Sequence, residues 1–348
     1  MKNSTNDVVL SAKYPHAPIY GIAALSKALG VHQNVLVQVA STATKMYRLA
    51  KQEVKPDNSI RQTFDARPRL KAVQIRIKER LLQQVIFPTY LHGSLRGCSP
   101  RTNAAMHVGA KITFAEDITQ FFPSASRALV RRTWIGLFGF SEDVADLLTD
   151  LTTLNGGLPQ GSVTSSFLAN LIFWDYEPRL VKTLASRGLI YSRYVDDVTV
   201  SSRRRVEPED KTYVVTQIYG MLLHHGFFPN RGKQKITTSA KSMRTTKLVH
   251  NIQVGLPSVE RKRIRAAVYA LERRAFLGER GAAVTKELAS VSTRVGRLGS
   301  FHKVPAAALK KRLVVVRGLL APLEGISHVA LTTHDTLNLP LPSPPWST

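Results

Sequence analysis

The chain has 348 residues, 43% of them hydrophobic, and carries 49 Lys and Arg against 24 Asp and Glu, a formal net charge of +25. That apolar fraction excludes a disordered tail, the length suffices for two or three lobes around a sizeable core, and the single cysteine, Cys98, excludes an internal disulfide and a multi-thiolate zinc site. Charge on this scale points to a polyanionic partner, and with no run of 18 apolar residues and no isolated basic amphipathic segment, nucleic acid is favoured over a membrane surface.

The first residues, MKNSTNDVVLSAKYPHAP, lack the continuous apolar core of a signal peptide, so export is not expected and a reducing cytoplasm fits. Over residues 18 to 50, Ile22, Leu25 and Leu29, then Leu36, Val39, Ala43 and Met46, recur at three or four residues on either side of Gly30, which predicts two helices and a turn. Residues 51 to 69, with Pro56 and Pro68, read as an entry loop with one strand at 60 to 64. Leu70, Val73, Ile77, Leu81, Leu82 and Val85 then mark a helix whose opposite side carries Lys71, Arg76, Lys78 and Arg80. Either solvent or nucleic acid accounts for that basic side.

Residues 91 to 109 are rich in Gly and Ser and read as a loop before a strand at 111 to 114. Residues 127 to 151 read as helical with a break at Gly136 and Gly139, and NGGLPQGS at 155 to 162 as a loop. Helical spacing returns from Ser165 to Leu184, and again from Lys211 to His225, followed by a turn and strand to Thr238. Basic helices are expected at 260 to 276 and 306 to 320, and the four prolines after Asn338 predict a fraying tail. Pro257 lies in the expected boundary, residues 250 to 258, of a C-terminal helical lobe.

Between Ile190 and Val200, β-branched and aromatic residues flank Asp196 and Asp197, which predicts a hairpin with both acids at its turn. Adjacent carboxylates raise one another's pKa unless a cation lies beside them. The pair is either a solvated turn or half of a metal site. Asp117, at the end of the strand at 111 to 114, supplies a third carboxylate. Three such acids on adjacent strands suit two Mg²⁺ ions, which activate an attacking hydroxyl and stabilise a leaving pyrophosphate. Phe122, five residues on, would floor a nucleotide site and clash with a ribose 2′-hydroxyl.

AEDITQFFPS (115 to 124), GLPQGSVTSSFLAN (157 to 170) and YVDD (194 to 197) resemble, in order and spacing, the three central motifs of reverse transcriptases. The resemblance implies metal ligands at Asp117, Asp196 and Asp197, a steric gate at Phe122, and nucleotide contacts from Gln160 and Gly161. GFFPNRGK (226 to 233) is similar to the following motif, with Lys233 approaching the triphosphate. TNAAMH (102 to 107) is similar to the NAxxH element of bacterial retron-type enzymes, and RVGRLGSFH (294 to 302) and the basic helix near 261 to 273 to their thumb. These imply nucleic-acid contacts from Asn103, His107, Arg261, Lys262 and Arg263. His107 reads as structural or RNA-contacting rather than catalytic, and Arg203, Arg204 and Arg205 as phosphate contacts or a solvated loop. Two departures are LVHNIQVG (248 to 255), where retron enzymes commonly carry VTG, and YVDD in place of YADD.

The resemblance implies an α+β right-hand polymerase with an antiparallel palm sheet. Its parts would be an N-terminal helical extension (1 to 55), fingers (56 to 115), a palm (116 to 250, with fingers helices inserted at about 127 to 155) and a basic helical thumb with a tail (251 to 348). It further implies RNA-directed DNA synthesis with two Mg²⁺ ions, Mn²⁺ substituting, in a bacterial cytoplasm. Template and primer would be a structured non-coding RNA, the product a branched RNA–DNA hybrid, and the role anti-phage defence beside a separate effector protein. The alternatives are a defence reverse transcriptase of the abortive-infection kind and, in another class, an inert RNA-binding scaffold.

Overall fold

Apolar spacing sets the first two helices. In the computed structural model, which describes residues 9–54 and 58–321, Leu25 and Leu29 of α1 (Ile22–Leu29) and Leu36 and Val39 of α2 (Gln33–Thr42) are wholly buried. The helix does not run on to residue 50. After one 3₁₀ turn the backbone extends at Tyr47, and β1 (Tyr47–Val54) pairs antiparallel with β2 (Ile60–Ala66). Met46 continues the helical spacing, but its carbonyl accepts the Arg67 amide at 2.7 Å and the Tyr47 hydroxyl accepts from Gln74 at 2.6 Å. Those tertiary bonds override the local period.

α3 (Pro68–Arg80) starts on a proline, where the missing N–H costs nothing, and buries Leu70, Val73 and Ile77 beneath an exposed Arg76 and Arg80. The expected loop at 91 to 109 contains a helix, α4 (Pro100–Met106). Ser99 Oγ accepts the Thr102 amide at 3.2 Å and Thr102 Oγ1 accepts the Ser99 amide at 2.8 Å, a reciprocal cap. The Ser-Pro-x-Thr signal for that cap outweighs the Gly and Ser content around it.

β3 (Ile112–Asp117) leads through the short α5 (Phe121–Ser124) to α6 (Arg127–Gly136) and α7 (Glu142–Thr152), which break at the expected glycines. The helical stretch after Ser165 is two helices, α8 (Ser165–Leu171) and α9 (Glu177–Ser186). β4 (Leu189–Tyr194) and β5 (Asp197–Ser202) form the expected hairpin, and α10 (Pro208–His224), β6 (Lys235–Thr238) and β7 (Arg244–Thr245) follow. The strands assemble in the order β4-β5-β3-β6, every neighbour antiparallel.

Register sorts this sheet's side chains by parity. Phe114 lies opposite Val200, which lies opposite Tyr191, so these share one face and fill the core with large groups. The other face carries Thr113, Ala115 and Asp117 from β3 and Asp197, Thr199 and Ser201 from β5, with Ser192 and Tyr194 from β4. Ile190 of β4 shares that face, whose Thr113, Ser192, Thr199 and Ser201 are buried, and two carboxylates stand at its end.

A second compact unit comprises Lys247–Val249 and the residues from Gln253 on. It contains β8 (Leu248–Val249), α11 (Ser258–Phe276), α12 (Ala282–Gly299) and α13 (Lys303–Leu320). α12 is longer than the thumb-like motif at its end suggested, because Val284, Leu288, Val291, Val295 and Leu298 repeat at four and three residues and are buried. Inside this unit Arg312 Nε donates to both Glu272 carboxylate oxygens at 3.1 Å, tying α13 to α11. The first eight residues and the proline-rich tail lie outside the described residues.

Candidate active site

Asp117 ends β3 and Asp197 begins β5, and the two are direct cross-strand partners on the face of small side chains. Between β4 and β5 the turn is Val195 and Asp196, and the Asp196 carbonyl accepts the Ile118 amide at 3.3 Å. Val195 has φ +59, a region that β-branched residues seldom occupy. Burial raises the pKa of Asp196, and the neighbouring negative charge of Asp117 raises it further, against the lowering influence of Lys233 and Arg61.

A cleft of about 480 Å³ opens over these acids, lined by Asp117, Asp196, Phe122, Gln160, Lys233 and Arg61 among others. Phe122 is half-buried in it. The loop carrying Gln160 is pinned from below: the Gln160 carbonyl accepts the Phe64 amide of β2 at 2.7 Å, and Gly161 has φ +106. A Cβ at Gly161 would lie 2.6 Å from the Phe64 carbonyl oxygen, so the loop touches the β1–β2 hairpin only because that residue is glycine. Lys233 Nζ lies 3.0 Å from Asp117 Oδ2, and Asn230 binds the same carboxylate oxygen with Nδ2 at 3.3 Å and the Asp117 carbonyl with its amide at 2.7 Å. The Asp117 contact raises the Lys233 pKa. With Lys233 half-exposed, this ion pair contributes less than about 1 kcal/mol, so it yields readily to a stronger ligand of either partner.

The donor set fits a hard divalent cation. Asp117 and Asp196 offer carboxylate oxygens to one cleft, Asp197 stands opposite Asp117, and the Asp196 pKa is raised mainly by burial and further by the Asp117 charge, which a cation would offset. Among the described residues no cluster of three His, Cys, Asp or Glu closes around a single point. An ion held here would therefore complete its shell with water or substrate oxygens.

The predicted site residues divide into groups. Asp117, Asp196, Phe122, Gln160 and Lys233 line one cleft, with Gly161 and Asp197 adjoining. Asn103 and His107 do not join them, and direct RNA contact by either is corrected here: both are wholly buried. His107 spans the hairpin, with Nδ1 2.7 Å from Ser201 Oγ and Nε2 2.7 Å from Ser192 Oγ. Its carbonyl accepts from His250 Nδ1 at 3.0 Å, while the Asn251 side chain closes the turn at Met243 and Lys241. The departure at LVHNIQVG thus supplies two residues that brace α4 and the sheet. Lys262 and Arg263 are exposed on α11 and Arg261 is half-buried. Sequence reasoning missed Asn230 and Arg61. Asn230 lies inside the quoted GFFPNRGK segment, whereas nothing local marks Arg61.

Over 321 residues the chain is 30% identical to the retron Ec48 reverse transcriptase of Escherichia coli, covering 87% of this chain and 77% of that protein. The chain belongs to the retron reverse transcriptases. This family member is also 35% identical over 230 residues to the retron Se72 reverse transcriptase of Salmonella heidelberg (strain 579083-10), and 28% identical over 251 residues to the retron Ec86 reverse transcriptase of Escherichia coli. The first match covers 66% of this chain and 61% of the relative, the second 70% and 76%. No family model matches the chain. Among solved structures, telomerase from Candida albicans aligns at TM-score 0.38 and 11% identity over 60% of this chain and 40% of that one. Telomerase from Candida tropicalis aligns at 0.39 and 9% over 65% and 61%. The retron reverse transcriptase has the α+β right-hand polymerase fold, with the four-stranded antiparallel sheet as its palm and a helical thumb. Among its described residues no helix is long and apolar enough to cross a membrane.

Proposed function

We propose that this chain copies a structured non-coding RNA into DNA, using the RNA as primer and template and leaving a branched RNA–DNA hybrid. The observation that carries this reading is the pairing of Asp117 with Asp197 on a sheet face of small side chains, with Asp196 at the adjoining turn. Thr113 and Ser201 on that face are buried against Met243 and His107, so a primer terminus would approach the acids from the cleft. Asp117, Asp196 and Asp197 would hold two Mg²⁺ ions, with Mn²⁺ as substitute. Bound there, the ions activate the primer 3′-hydroxyl and neutralise charge developing on the pyrophosphate.

The chain's own groups do the rest. Lys233 leaves Asp117 for the incoming triphosphate, and its ammonium offsets phosphate charge. The Phe122 ring excludes a ribose 2′-hydroxyl, and Gln160, on a loop held to β2, orients the nucleotide. The expected bounds, fingers at 56 to 115 with the helices at about 127 to 155, palm at 116 to 250 and thumb at 251 to 348, move at two edges in this reading: β1, paired with β2, joins the fingers, and all of β3 goes with the palm sheet. Lys262, Arg263 and Arg261 bind the nucleic-acid backbone, whose A-like shape suits recognition without base reading.

In this reading the enzyme acts in a bacterial cytoplasm, in anti-phage defence, beside a separate effector protein. Sequencing the nucleic acid that copurifies from the host tests the assignment. A branched RNA–DNA species with one RNA supports it. Repetitive or untemplated DNA would select an abortive-infection type of defence enzyme instead.

A further inference from the structure

Beneath the Asp196 turn lies a charged pair that the chemistry above does not use. Arg193 is wholly buried and Glu177 nearly so. Arg193 Nε and Nη2 donate to the two Glu177 carboxylate oxygens at 2.6 and 2.8 Å. The remaining donors reach backbone carbonyls: Nη1 to Val195 at 3.0 Å and Ala169 at 3.3 Å, Nη2 to Asn170 at 2.8 Å. Tyr191 Oη donates to Glu177 Oε1 at 2.6 Å, fixing the acid in turn.

A buried ion pair is a poor choice for stability alone, since apolar residues of similar volume often do as well or better. What this pair supplies is direction. Its fork joins α8, which follows the Gln160 loop, to the carbonyl of the strained Val195 directly before Asp196. The opposite side of the turn is closed as well. Asn170 Nδ2 donates to the Gly93 carbonyl at 2.6 Å, and a Cβ at Gly93 would lie 2.2 Å from Val195 Cγ2.

The geometry points to Arg193, oriented by Glu177, as a positioning residue that holds Val195 in its left-handed conformation and so aims the Asp196 carboxylate. The inference rests on the polymerase reading above. It distinguishes two roles for one pair: a clamp on the turn, or a bond that only joins β4 to α9.

Arg193→Lys keeps a cation beside Glu177 but loses the fork. The expected result on a short RNA template and DNA primer is a fall in kcat of about 10- to 100-fold, as for residues that orient metal-binding side chains, with RNA affinity and nucleotide KM little changed. In a Val195→Gly background the turn adopts positive φ without strain, so the loss caused by Arg193→Lys should shrink about tenfold or more. A readout independent of activity is amide exchange at Ile118, whose N–H binds the Asp196 carbonyl. Exchange should quicken in Arg193→Lys while β3 amides remote from the turn stay protected. Equal losses in both backgrounds, or exchange at Ile118 unchanged, would overturn the clamp.

If Arg193→Lys does not fold, Tyr191→Phe decides. It removes one bond to Glu177 and should give a smaller change of the same sign in kcat and at Ile118; wild-type values for both would overturn the inference. A wild-type enzyme unable to extend the primer refutes the polymerase reading, whereas the exchange comparison still judges the clamp.

Discussion

Phe122 stands half-buried in the cleft with Asp117 and Gln160, where a ring's bulk matters more than its polarity. Phe122→Ala is expected to raise incorporation of ribonucleotides relative to deoxyribonucleotides by about tenfold or more, an amount in line with removal of steric rejection in a packed site. Competitive single-nucleotide extension measures it; an unchanged ratio contradicts the gate. His107 offers a second residue-scale prediction. Burial holds its pKa down to about 3, aided by His250, His92 and Arg203. Between the unfolded value near 6.5 and that figure, the unfolded chain binds a proton the folded chain refuses, so stability falls as pH falls, by roughly 1.4 kcal/mol per unit. His107→Asn should be less stable at pH 7, through two hydroxyls left poorly bonded, yet show a flatter decline from pH 6 to 5 in urea midpoints. Burial lowers the pKa of His92 and His250 too, so part of the slope remains. The β-branched and aromatic residues around Asp196 and Asp197, and the strand before Asp117, made the three acids legible in the sequence. The burial of Asn103 and His107 was not legible, since a motif names residues without saying which way they face. Arg193 and Glu177 were equally silent, being 16 residues apart with no local sign of their contact.

At the scale of elements, the β4–β5 hairpin and the strand bearing Asp117 followed from β-branched runs and their bounding polar turns. β1 did not, because Met46 extended a helical period that the hairpin with β2 overrides. α4 was hidden by glycines and serines whose effect is local, whereas its cap was written in Ser99, Pro100 and Thr102. The loop at 155 to 162 was legible as a loop but not as a strut. Its contact with β2 makes Gly161→Ala the sharpest test of element packing: the new methyl meets Phe64 backbone at 2.6 Å and the positive φ is strained besides. We expect a loss of about 1 to 3 kcal/mol in stability and a disproportionate loss of nucleotide affinity, read by thermal unfolding and by KM. Wild-type KM in a stable variant would contradict the strut.

Across the whole molecule, 49 basic side chains face 24 acidic ones, too few to pair with them all, which makes phosphate neutralisation the main outlet of the excess. RNA affinity should fall steeply with salt, by several hundredfold or more between about 50 and 200 mM for roughly six phosphate contacts. Flat affinity over that range contradicts a backbone-bound duplex. Charge and length were readable at once; how the two compact units divide near residue 250 required the contacts themselves. The central claim is the cleft that Asp117 and Asp196 line and Asp197 adjoins. Its most direct test is primer extension on an RNA template with Mg²⁺, comparing the wild-type chain with the double variant Asp196→Asn and Asp197→Asn. The account predicts DNA synthesis by the first and none by the second at equal RNA binding; undiminished synthesis by the double variant would contradict it.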